Sequence, residues 1–263
     1  MHKGRCALCL KENQDLQRSH FLGKAFYRLN REGGKAIMAT PELIIPTDRQ
    51  LWAHLLCSDC EQRISRNGED AAMRLVQRKD SFSLLDRLGF SWPEANNGTT
   101  RVYSGALAGI ETDKLAYFAL SVIWRSAVRK WKTLRQQTSG ISLGSDEEPI
   151  RAYLAGETGF PPNVAVLLTV CTDIGSRNMV VAPWRSYARE YPSFFLLTRG
   201  IWFRAFVHPQ LPPAIRNLCC VNGPRNPLFV EDCEHELSRL VESIDKSAAV
   251  APSLQTLLAD AAC

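Results

Sequence analysis

The sequence contains no apolar run long enough to span a bilayer, no internal repeat and no low-complexity tract. These absences exclude a membrane-spanning helix and a repeat array. The opening residues Met1-His2-Lys3-Gly4-Arg5-Cys6 lack the apolar core of a signal peptide, so a cytoplasmic protein with no membrane partner is expected. A disulfide framework is then not expected either, although nine cysteines are present. Neither sign of charge dominates. The net charge of +5 is a mild basic bias that permits nucleic-acid binding without requiring it. At 263 residues and ordinary apolar content, the chain can bury one large core or two modest ones.

Four cysteines fall into two pairs, Cys6-Ala7-Leu8-Cys9 and Cys57-Ser58-Asp59-Cys60. A pair spaced this way lets both sulfurs reach one ion from a single tight turn. Two such pairs close a tetrahedron around zinc. Four thiolates leave no open position for water, so this Zn2+ would be structural, and its binding energy would fold a module with little core of its own. The alternative, two redox dithiols, is disfavoured because neither pair begins the helix of a recognisable βαβ unit. Cys171, Cys219, Cys220, Cys233 and Cys263 show no ligand spacing and are expected to be buried or free thiols.

The coarse pattern predicts an α+β chain. Residues 15–20 read as a strand, and 24–30 as a helix ended by Gly33-Gly34. Residues 35–48 read as an irregular strand or loop, and 51–56 lead into the second cysteine pair. A helix is predicted from near Cys60 toward Lys79, and a short one over 81–88. The turn-rich stretch 91–100, with Trp92-Pro93 and Asn96-Asn97-Gly98, is the expected boundary between a zinc module at 1–95 and an accessory α+β domain at 101–263. Beyond it, 113–134 is the longest helical pattern, with Leu115, Phe118, Val122, Ile123, Ala127, Val128 and Trp131 on a broad apolar face. Ser145-Asp146-Glu147-Glu148-Pro149 is a helix start with acids in the first turn. Residues 163–172 read as a buried strand that 179–182 can pair with. Residues 194–197 and 201–207 flank the hairpin signal Thr198-Arg199-Gly200. Helices are expected at 234–245 and 252–260.

Between the cysteine pairs sits Ser19-His20. A histidine beside apolar Phe21-Leu22 is commonly a structural residue, but its position here is informative. The order of cysteine pair, strand-terminal histidine, second cysteine pair and helix resembles the zinc-stabilised HNH endonucleases of the ββα-metal class. The sequence is more closely similar to a group of uncharacterised bacterial proteins with the pattern S-H-x-x-P-K-F-x-Y-R followed by L-L-C-x-x-C-E. Here these are Ser19-His20-Phe21-Leu22-Gly23-Lys24-Ala25-Phe26-Tyr27-Arg28 and Leu55-Leu56-Cys57-Ser58-Asp59-Cys60-Glu61. The likeness continues in Phe118-Ala119-Leu120-Ser121-Val122-Ile123-Trp124-Arg125-Ser126.

The resemblance implies an HNH-like ββα module that hydrolyses DNA phosphodiesters. His20 would be the general base, and Glu61 a ligand of a catalytic Mg2+ or Mn2+. Four positions depart from the family pattern. Glu61 stands where the residue after the last cysteine is often asparagine. Ser19 stands where HNH enzymes carry an acidic or histidine metal ligand. Trp52 falls near the usual loop asparagine, with His54 close enough to substitute. Gly23 replaces a common proline.

Three arginine and lysine rows accompany this motif. Lys24, Arg28 and Arg31 continue from His20 at helical spacing, and are the candidate DNA-phosphate contacts. Arg125, Arg129 and Lys132 form a second row, and Arg63, Arg66, Arg74 and Arg78 a third. Each could equally be a solvated helix face. Trp124, Trp131, Trp184 and Trp202 read as core aromatics, although an exposed one could stack on a base. The competing reading is a catalytically inactive, zinc-stabilised nucleic-acid or protein adaptor. A third makes the chain a subunit of a bacterial anti-phage defence or toxin assembly, with 101–263 docking a protein partner.

Overall fold

A computed structural model describes residues 2–23, 25, 26, 29, 37–40, 43–46, 51–78, 81–129, 131, 141–186, 191–221 and 225–247. The described residues are mixed α+β and are built on two sheets. The first half contributes β1 (His2–Gly4), β2 (Gln14–His20), β3 (Ile37–Thr40), β4 (Leu43–Pro46) and β5 (Trp52–Cys57). A helical run follows: α1 (Ser58–Ile64), a π turn (Ser65–Glu69) and α2 (Asp70–Leu75). Then come α3 (Ser83–Gly89), β6 (Ala95–Asn96), β7 (Arg101–Ser104) and α4 (Thr112–Val128). The remaining elements are α5 (Glu147–Ala155), β8 (Val164–Cys171), α6 (Ile174–Asn178), β9 (Met179–Ser186), β10 (Ser193–Thr198), β11 (Ile201–Val207), α7 (Pro213–Arg216), β12 (Pro227–Glu231) and α8 (Glu234–Ser247). No described helix is long and apolar enough to cross a membrane.

The small sheet has the order β1-β2-β5, and its strands are antiparallel. The large one has nine strands in the order β4-β3-β9-β10-β11-β8-β12-β7-β6. Its centre is the antiparallel set β9-β10-β11-β8, with β8 and β12 running parallel. The hairpin signal at 198–200 is realised as a two-residue loop. Arg199 and Gly200 both have positive φ, 44° and 89°, as the primed turns matching strand twist require. At Gly200 a Cβ would also lie 2.7 Å from the Phe82 ring, so glycine is needed for space as well. The stretch 91–100, read from sequence as a linker, contains β6, which pairs with β7 at the edge of the large sheet. β3, from the insert between the cysteine pairs, pairs in parallel with β9.

α4 links the two sheets. Thirteen of its seventeen residues are buried, far more than the one-sided face its sequence suggests, as expected of a helix enclosed all round. On one side it packs on β9, β10 and β11, on the other on the π turn and α2. Phe118 marks the junction: its ring stacks on Phe26 at 5.1 Å and meets Phe203 edge-on at 5.8 Å. The helical run crosses α4 at Gly68, where a Cβ would lie 2.8 Å from the Phe118 backbone nitrogen and Cα. Backbone cannot swing aside as a side chain can. Gly68→Ala is therefore expected to destabilise the protein by about 1–3 kcal/mol, the usual cost of overpacking. A shift of the urea midpoint to lower concentration checks this, and an unchanged midpoint would show that the crossing has room to open.

Candidate metal centre and the strand-end histidine

β1 delivers the chain into a tight loop that carries Cys6 and Cys9. The Cys6 amide donates to the Lys11 carbonyl at 3.0 Å and the Leu10 amide to the Cys6 carbonyl at 2.9 Å, with Leu10 at φ 59°. Cys57 ends β5 and Cys60 lies in the first turn of α1. Pairing of β2 with β5 brings these two loops together. All four sulfurs lie within 4.8 Å of one another. Zinc–sulfur bonds of about 2.3 Å need tetrahedral edges of about 3.8 Å, and the Cys9–Cys57 sulfur separation is 3.9 Å. Cys6, Cys57 and Cys60 are buried and Cys9 is half-buried.

The electrostatics favour a thiolate in this cluster. A hydrogen bond from Cys60 is the main influence holding the Cys6 thiol down at about 4. The Cys57 amide, 3.3 Å from Cys6 Sγ, helps in the same direction. The four cysteines could thus hold a structural ion such as zinc, with the coordination sphere closed by protein sulfur alone. The loop is anchored from outside as well. Buried Arg151 of α5 donates from Nη1 to the Leu8 carbonyl at 2.6 Å, while its other nitrogens grip Glu148 and Glu157.

Beside the sulfurs, Ser19 and His20 end β2. Ser19 is fully buried and its hydroxyl accepts the Leu56 amide at 3.1 Å. It also lies close enough to the Glu61 carboxylate to favour its charged form. Burial pushes the Glu61 carboxyl upward, opposed by Ser19 and by the Arg125 charge. Glu61 Oε1 is buried and has no hydrogen-bond partner. His20 is half-buried and lies opposite Trp52 in the β2–β5 register.

The His20 carbonyl accepts from Arg125 Nη1 at 2.8 Å, and Arg125 Nη2 pairs with Glu69 Oε1 at 2.7 Å. In a regular helix, Glu61 and Glu69 would point about 80° apart. The π turn absorbs one extra residue and brings them to within about 20° of one face. Glu69 also crowds Gly23: a Cβ there would lie 2.7 Å from Glu69 Oε2, so the proline common in the related pattern would require the carboxylate to shift.

Arg125 is 1% exposed. The sequence places it in a basic row with Arg129 and Lys132, but the structure removes it from any phosphate-binding surface. Its charge is used internally, by Glu69 and the His20 carbonyl. Arg125→Ala is expected to cost on the order of 3–5 kcal/mol, because Glu69 would be left as a partly buried carboxylate without its partner. Chemical denaturation measures this, and a loss below about 1 kcal/mol would put the pair in the class of surface ion pairs.

The structure brings Cys6, Cys9, Cys57 and Cys60 together, with Glu61 beside Ser19 and His20 at the adjoining strand end. Lys24, Arg28 and Arg31 lie outside the described residues, as does Lys132. Arg63, Arg66 and Arg74 are exposed on the helical run, and Arg78 is exposed just beyond it. His54 is not directed at Glu61. It stacks on His2 at 4.6 Å, and its Nδ1 lies 3.2 Å from the Leu16 carbonyl. Trp124 and Trp131 are core residues, whereas Trp184 and Trp202 are only half-buried. Glu69 was not singled out by sequence; its one local signal is an acid eight positions beyond Glu61. No family model matches the chain, and no curated protein or solved structure matches it either.

Proposed function

We propose that the chain is a metal-dependent, HNH-like endonuclease that hydrolyses DNA phosphodiesters in the cytoplasm. The observation that carries the reading is the order of antiparallel β2 and β5 followed by α1, with four sulfurs at the base and His20 at the end of β2. Mg2+ or Mn2+ commonly binds through one or two carboxylates together with substrate phosphates. Glu61 Oε1, buried and unpartnered, is an oxygen suited to that role. When bound, the cation would supply positive charge to the phosphate and leaving oxygen. His20 takes a proton from water at an imidazole nitrogen. Lys24, Arg28 and Arg31 hold the DNA backbone. Residues 101–263 offer a surface for a protein partner in a defence or toxin assembly.

One observation favours the adaptor reading. Arg125 places a permanent positive charge near Glu61 and ties up Glu69, where a catalytic cation would otherwise be needed. The two readings separate in a plasmid-cleavage assay with added Mg2+ or Mn2+. Nicking or linearisation that EDTA abolishes supports the nuclease. DNA binding that is unaffected by chelation, with no cutting, supports the adaptor.

A further inference from the structure

We propose a second metal site, formed by Cys171, Asp173 and Cys233, that takes a thiophilic divalent ion such as zinc and keeps one coordination position open. Their spacing in sequence hides it, since Cys233 is far from the other two. The parallel pairing of β8 and β12 assembles it. Glu231 pairs with Cys171 in register, so both strands release their loops at the same carboxyl end. Asp173 follows β8 by two residues and Cys233 follows β12 by two. The Thr172 amide then bonds the Glu231 carbonyl at 3.0 Å and holds the two loops together.

The two sulfurs and a carboxylate oxygen lie within 4.8 Å of one another. Tetrahedral edges for zinc with these ligands are about 3.6–3.8 Å, so closure by at most about an ångström completes the set. Asp173 is already oriented. Its Oδ1 accepts the Ser176 amide at 2.6 Å, and its Oδ2 accepts the Cys233 amide at 3.1 Å. Each oxygen has a second lone pair available for a metal. Ligands braced by backbone N–H groups are what a preformed site requires.

Two sulfurs with one oxygen select zinc over Mg2+ or Ca2+, which take oxygen alone. Three protein ligands distinguish this site from the closed four-sulfur cluster, because the fourth position is left for water or an exogenous ligand. Access is through Cys233, which lines a cleft of about 520 Å³ together with Glu231, Glu236 and Arg204. Binding the ion displaces the two thiol protons to solvent, leaving Zn2+ balanced by two thiolates and one carboxylate.

The test is zinc content measured by mass spectrometry on the reduced full chain, loaded with zinc and desalted. Wild type should retain one more zinc per chain than the C171S/C233S double variant. Because the readout is a difference, it holds whatever the four-sulfur cluster binds. An equal zinc content in the two proteins would overturn the proposal. So would a Cys171–Cys233 disulfide in protein purified under reducing conditions. Should the double variant fail to fold, Asp173→Asn keeps the helix N-cap but loses the ligand charge. It should weaken the extra site by about tenfold or more in a chelator competition, and an unchanged affinity would overturn the assignment.

Discussion

Cys57→Ser is expected to lose zinc and, with it, the fold around the four-sulfur cluster. The expectation rests on a comparison of magnitudes. Structural zinc sites contribute about 10–16 kcal/mol of apparent binding energy, while whole domains are stable by only about 5–15 kcal/mol. Removing one of four thiolates therefore takes away an amount comparable with the entire margin. Cys57 is also a joint in the backbone. It ends β5, precedes α1, and sends its amide to Cys6 Sγ. A serine hydroxyl is a poor ligand for zinc beside three thiolates. Buried Leu8, Leu55, Leu56 and Ile64 pack around the cluster and would lose their arrangement with it. The measurements are zinc stoichiometry, a thermal melt and limited proteolysis between residues 1 and 75. Cys57→Ser protein with the wild-type melting curve, or a wild type that stays folded after its metal is stripped, would show that the sulfurs are not a folding centre.

His20→Ala is expected to reduce DNA cleavage by a factor of about a hundred or more, the usual effect of losing a general base. The variant keeps the hydrogen bond between His20 and α4. What ties His20 to Arg125 is its backbone carbonyl, which alanine retains, so the Glu69–Arg125 pair and the four-sulfur cluster should survive. Zinc content, melting temperature and DNA affinity should then stay near wild type while cutting is lost. Glu61→Ala should behave differently, raising the Mg2+ concentration needed for half-maximal activity. A wild-type rate in His20→Ala would sink the catalytic assignment. Absence of any cation-dependent cutting by the wild-type protein would make the adaptor the better reading.

The parts legible in the sequence were those specified by neighbours along the chain. The cysteine spacings predicted a four-sulfur cluster, and those sulfurs converge. The pattern predicted a strand at 15–20 and found β2 at Gln14–His20; it predicted 163–172 and found β8 at Val164–Cys171. The hairpin at 198–200 was readable because a glycine at positive φ is a local requirement.

What was illegible depends on partners far away. Arg125 at helical spacing from Arg129 looks like a solvated face. Its burial is decided by the His20 carbonyl and by Glu69, brought there by tertiary packing. The π turn at Ser65–Glu69 has no spacing signature, and Gly68 within it answers to the backbone of Phe118, far along the chain. β12 and the parallel pairing of β3 with β9 went unread because each pairs with a strand distant in sequence.

The pairing of β3 with β9 has a consequence for how the chain is made. Synthesis releases the N-terminal end first, so the four sulfurs can gather as soon as residue 60 has left the ribosome. β3 lies inside the loop those sulfurs close, yet its partner ends at Ser186. At about 5–20 residues per second, the insert waits roughly 6–25 s with its hydrogen-bonding edge unpaired. An unpaired edge is an invitation to association with another nascent chain. Metal capture by the four cysteines at that stage would tether the edge at both ends during the wait, and the shorter the tether, the fewer wrong partners it can reach.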